Sequence, residues 1–232
     1  MEKPWTQGSK ELLNHAAEHL ENKSDFDRRI AFISIDNAVE IIIKSYLSAP
    51  KRGKASKKRP SRKELKETEN SFPGLLDLLE QYDFDKLTGI SLEDIEWYHR
   101  LRNELYHSGN GITVELSKVE TYFEIASTLF ESLFEEKLVL SKQIVYATHV
   151  GLFLEKWTQF EHKFRSKLPE RERGDTAYDW KRGYLDKKGT SARIAYDEVS
   201  FFRNNLVHGL FKPSETEITE MLKKIDYLDS VI

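Results

Sequence analysis

Arg102, Asn103, Glu104, Leu105, Tyr106 and His107 recur 101 positions later as Arg203, Asn204, Asn205, Leu206, Val207 and His208. Each copy closes a segment of apolar residues at helical spacing. Before the first, Leu92, Ile95, Tyr98, Leu101 and Leu105 fall at steps of three and four. Before the second, Ala195, Val199, Phe202 and Leu206 do the same, with Ile194 beside Ala195. A duplication that keeps Arg, Asn and His while their neighbours drift predicts two copies of one small helical unit.

The flanks agree. Ser9 to Asn22 carries Leu12, Leu13, Ala16, Ala17 and Leu20 on one side. From Asp25 to Leu47 apolar residues lie on nearly every face, so that helix is expected to be mostly buried, with two acids, Asp36 and Glu40, one turn apart. A short helix is expected over Ser71 to Tyr82, with Pro73 in its first turn. Ser91 with Asp94, Ser117 with Glu120 and Ser214 with Glu217 read as helix-opening capping boxes. Gln143 to Leu168 is expected to be a long helix, and Pro169 to Thr190 a charged loop. No strand pattern emerges. The fold class is therefore all-α, as two tandem bundles packed together, with boundaries at 1–138 and 139–232.

Composition sets limits. A hydrophobic content of 39% with 12% aromatics supplies packed cores. No basic and apolar leader follows Met1, and the apolar run from Ala38 to Ile43 is broken by Glu40, so neither a signal peptide nor a membrane span is expected. The absence of cysteine excludes disulfides, thiolate zinc sites and cysteine nucleophiles, and a cytoplasmic location fits. The net charge of −3 argues against a protein that coats nucleic acid uniformly. Within the insertion 50–67, however, Lys51, Arg52, Lys54, Lys57, Lys58, Arg59 and Arg62 cluster. Such a run is a solvated loop, a phosphate-backbone contact to RNA, or both.

The polar trio has a structural reading and a chemical one. Arg and His in a last helical turn are favoured by the negative end of the helix dipole, and Gly109 and Gly209 are ordinary helix stops. In the chemical reading, Asn and His at i and i+4 share a face, the long Arg side chain swings to the same patch, and the imidazole serves as acid or base near neutrality. Facing patches would hold two histidines, two arginines and two asparagines, a constellation able to cleave phosphodiesters without metal. His15, Glu18 and His19 also form H-x-x-E-H, a zinc-site spacing, but no third ligand is identifiable and helix-edge histidines are ordinary. Neither a metal nor an organic cofactor is expected.

The R-x4-H pattern with a polar residue after the Arg, at the end of the third main helix of a helical bundle, resembles the HEPN superfamily. The stretch from Ala38 to Leu47 is similar to that family's second helix, where a buried acid lies near the motif. The resemblance implies tandem HEPN units forming a composite site that cuts RNA without metal, in toxin–antitoxin, antiviral defence or RNA-processing systems. By position, His107 and His208 would exchange protons with the ribose 2′-hydroxyl and the leaving 5′-oxygen, in an order left open. Arg102 and Arg203 would stabilise charge on phosphorus, and Asn103 and Asn204 would orient the phosphate or a histidine. Arg100, which makes an R-x6-H with His107, is an alternative to Arg102. Glu40 and Glu161 are candidates either to position the local Arg or His or to satisfy an arginine structurally. HEPN toxins silenced by nucleotide transfer carry a Tyr two residues after the motif His; Gly109 and Leu210 stand there instead. The expected partners are RNA and either a second copy of the chain or a cognate regulatory protein. The alternative to a nuclease is a non-catalytic module that binds RNA or a partner through the same surface.

Overall fold

The computed structural model describes residues 4–22, 24–49, 59–107, 113–140, 149–169, 177–208, 210–211 and 213–232; the side chains of 106, 107, 149 and 177–179 lie outside that description. The chain is all-α, with no strand among the described residues. Nor is any helix there long and apolar enough to cross a membrane. It divides into two compact units, 1–145 and 146–232.

The first unit holds α1 (Gln7–Asn22), α2 (Asp25–Ser48), α3 (Arg62–Glu67), α4 (Phe72–Asp83), α5 (Leu92–His107) and α6 (Leu116–Phe134). Helix α2 is its axis, packed by α1, α4, α5 and α6. The sequence explains that role: Phe32, Ile35, Val39, Ile42, Ile43 and Tyr46 project around the helix and are all buried. Burying each such side chain contributes about 1.5–3 kcal/mol before conformational entropy is counted. Ser24 caps α2 by accepting from the Asp27 N–H, and Ser71 caps α4 from Gly74. Under α5, Phe32, Tyr98 and Tyr122 form an aromatic layer, with Tyr98 and Tyr122 stacked at a centroid separation of 4.3 Å.

The second unit holds α7 (His149–Lys167), α8 (Ala177–Asp186), α9 (Thr190–Val207) and α10 (Glu215–Val231). Helix α10 packs on α7 and α9, and α8 on α9. Rings bind α7 to α9, with Phe153 edge-on to Phe202 at 5.1 Å and Trp157 stacked on Tyr196 at 5.7 Å.

Three local expectations are corrected. The charged segment from Pro169 to Thr190 is not loop throughout, because α8 occupies Ala177–Asp186; Leu185 is buried, and Arg182 and Arg193 converge on Asp197. Part of the basic insertion is also helical, since Ser61 and Glu64 form a reciprocal capping box that starts α3. Ser117 does not open α6: the helix begins at Leu116 with Glu115 as its cap residue, so Ser117 lies inside the first turn. The box at Ser214 and Glu217 does open α10.

Candidate functional site

Asp36 is a charged residue in the middle of α2, with no exposed surface. An ionised carboxylate there requires partners. Two elements supply them. From α5, Arg102 donates Nε–H to Oδ2 at 2.7 Å, and Nδ1 of His99 lies 3.0 Å from Oδ2 and 3.2 Å from Oδ1. From α6, the Tyr122 hydroxyl donates to Oδ1 at 2.8 Å. His99 and Arg102 are i and i+3 on α5, so a single carboxylate reaches both. From α4, Phe72 stacks on the His99 ring at 3.9 Å with planes 11° apart.

Burial pushes the Asp36 carboxyl up, but the His99 hydrogen bond and charge, the Arg102 charge and the Tyr122 hydroxyl together outweigh it and hold the group below its ordinary value. Burial and the facing carboxylate raise the Tyr122 phenol well above its ordinary range. Near neutral pH the Asp36 carboxyl is therefore ionised and the Tyr122 phenol keeps its proton.

Arg102 reaches outward as well. Its Nη1 donates to Oδ1 of Asn103 at 3.0 Å. The second motif repeats this contact, with Arg203 Nη1 donating to Asn204 Oδ1 at 3.4 Å. An Asn oxygen engaged in this way leaves the amide N–H groups as the donors it presents elsewhere. Arg203 is buried and Asn204 exposed, whereas Arg102 and Asn103 are both half-buried. His208 stands at the C-cap of α9, where its backbone N–H bonds to the Asn204 carbonyl at 3.1 Å. His107 is the last residue of α5, and its side chain lies outside the described residues. Arg100 is exposed, so Arg102 is the arginine of this helix turn that reaches Asp36.

The two candidate acids, Glu40 and Glu161, fall differently. Glu40 pairs with Lys44 on its own helix at 2.5 Å, and Asp36, one turn earlier, is the acid that meets the motif. Glu161 is buried on α7, where it accepts from the Tyr196 hydroxyl at 3.2 Å and pairs with Lys181 of α8. In the first unit, sequence reading missed His99 and Tyr122 altogether. The available signal was His99 one helical turn before both Arg102 and Asn103.

Of the basic run, Lys51, Arg52, Lys54, Lys57 and Lys58 lie outside the described residues, Arg59 is half-buried and Arg62 is exposed at the start of α3. His15 and His19 meet edge to face at 4.6 Å, with His19 Nδ1 2.6 Å from Asp27 Oδ1. No group of three or more metal-capable side chains occurs among the described residues. No protein-family model, curated protein or solved structure matches the chain.

Proposed function

We propose that the chain is a HEPN-type endoribonuclease that cleaves RNA without metal through its two R-N-x-x-x-H motifs. One observation carries this reading: the same arginine-to-asparagine hydrogen bond recurs at the ends of α5 and α9, giving each motif a guanidinium and an amide at adjoining positions. Two donors so fixed suit a phosphodiester oxygen, and the buried Asp36 orients the first guanidinium in advance.

In the proposed reaction one motif histidine removes the proton of the ribose 2′-hydroxyl, whose oxygen forms a bond to phosphorus. The bond from phosphorus to the 5′-oxygen breaks, and the other histidine protonates that oxygen. The products are a 2′,3′-cyclic phosphate and a 5′-hydroxyl. The motifs pair within one chain or across a homodimer, and Arg62 with the neighbouring basic residues adds backbone attraction. Regulation by a cognate partner and a defence or toxin role belong to the same reading.

Purified protein incubated with end-labelled RNAs in excess EDTA tests it, beside His107→Ala and His208→Ala. Cleavage lost in both variants is the expected result. Products ending in 5′-phosphate would contradict the mechanism. RNA binding without cleavage by folded wild type would favour the non-catalytic module.

A further inference from the structure

The first motif carries a group that the second lacks. His99 precedes Arg102 by three residues and Asn103 by four, so the three side chains lie along one face of α5. The corresponding residue before Arg203 is Ser200.

His99 is held more tightly than packing requires. Its Nδ1 is bound to Asp36, and its ring plane is fixed by the stack on Phe72. Asp36 has two further partners. Arg102 already supplies a permanent positive charge at 2.7 Å, and Tyr122 supplies a further donor. With both ring nitrogens protonated, an imidazolium donates Nδ1–H to the carboxylate and presents Nε2–H as a second donor, the polarity an anionic phosphate requires. The hydrogen-bonding directions of the two ring nitrogens diverge. With Nδ1 bound to a carboxylate of zero exposure, Nε2 is the ring nitrogen left for a further partner, and the side chain is 15% exposed.

We propose that His99 is a further phosphate-contacting residue of the first motif, presenting Nε2 beside Arg102 and Asn103 while Asp36 holds Nδ1. The ligand class is the phosphodiester of RNA, so the inference rests on the functional reading above. It makes the two motifs unequal: the first binds phosphate through an imidazole, a guanidinium and an amide, the second without the upstream imidazole.

Asn and Gln separate the two nitrogens of His99, because the Asn amide replaces Nδ1 and the Gln amide replaces Nε2. The probe is an end-labelled, fully 2′-O-methylated RNA, which cannot undergo 2′-hydroxyl attack, titrated by fluorescence anisotropy against wild type, His99→Asn and His99→Gln. His99→Asn is expected to keep an unfolding midpoint near wild type and to bind about tenfold more weakly, the loss of one hydrogen bond to a charged group. His99→Gln is expected to retain most of the affinity. Unchanged affinity in a folded His99→Asn overturns the proposal while leaving the motif reading intact. Absence of RNA binding by wild type overturns both. If His99→Asn does not fold, the Nε2 resonance of His99 in ¹⁵N-labelled wild type decides: movement on adding the RNA supports the contact, and a static resonance overturns it.

Discussion

Arg102 of α5 and Asp36 of α2 share a hydrogen-bonded ion pair of 2.7 Å, with the carboxylate fully buried and the guanidinium side chain 18% exposed. This pair joins the end of the motif helix to the axis of the first unit. The residue that would meet phosphate is therefore also part of the core, and changes at either partner should register in both stability and RNA chemistry.

Asp36→Asn should destabilise the first unit by about 3 kcal/mol at pH 7, because it leaves Arg102 without its counter-charge in a partly dry site. The sign of the pH dependence follows from the lowered carboxyl. Its contribution is complete above the ordinary value of 3.8 and is lost as pH falls through the lower folded value. Urea unfolding followed from pH 7 to pH 2.5 should show the gap between wild type and variant narrowing below about pH 4. A gap that stays constant through that range would remove Asp36 as the titrating group.

Arg102→Lys keeps the charge but loses the fork. A lysine ammonium is a point donor and cannot hold the Asp36 carboxylate and the Asn103 amide in the same geometry. A stability loss of about 1–2 kcal/mol is expected, with RNA cleavage falling at least about tenfold. In a double-mutant cycle with Asp36→Asn the two changes should couple by about 1 kcal/mol or more; additive effects would contradict a direct bond.

Much of this architecture was legible from spacing. The stripe from Leu92 to Leu105 and the box at Ser214 marked α5 and α10 because helix periodicity and capping are local properties. Ser117 misled for a related reason: Ser and Glu at i and i+3 also occur inside a helix, and the start of α6 is set at Glu115 and Leu116. Helix α8 was hidden by Gly183 and by charges whose value lies in tertiary pairing, as in the bond from Arg182 to Asp197. Asp36 and Glu40 were both visible on α2. Which of them meets Arg102 depends on how α5 is set against α2, and one helix's periodicity does not contain that information. Hence the acid was placed one turn too late, and His99 was not counted with the motif.

The capping difference gives a direct comparison. Ser214→Ala removes the side-chain acceptor of the Glu217 N–H and should cost about 1 kcal/mol. Ser117 lies within the first turn of α6, so Ser117→Ala should be neutral or stabilising by a few tenths of a kcal/mol, about the difference in helix propensity. Thermal unfolding of the two variants in parallel would reveal a reversed order, and with it a wrong start for α6.

The second unit's buried acid faces a different task. Glu161 ties α7 to α8 and α9 through Lys181 and Tyr196, and Tyr196 lies two helical turns before Arg203. Glu161→Gln should therefore loosen the packing of that unit, lowering stability by about 2 kcal/mol, because Lys181 loses its counter-charge next to a buried amide. Cleavage per folded molecule should stay within about twofold of wild type, as expected for a change away from the reacting groups. Asp36→Asn should lower both quantities. If Glu161→Gln abolished cleavage at a temperature where the protein remains folded, the buried acids of the two units would be performing the same task, and the asymmetry drawn from Asp36, His99 and Ser200 would be wrong.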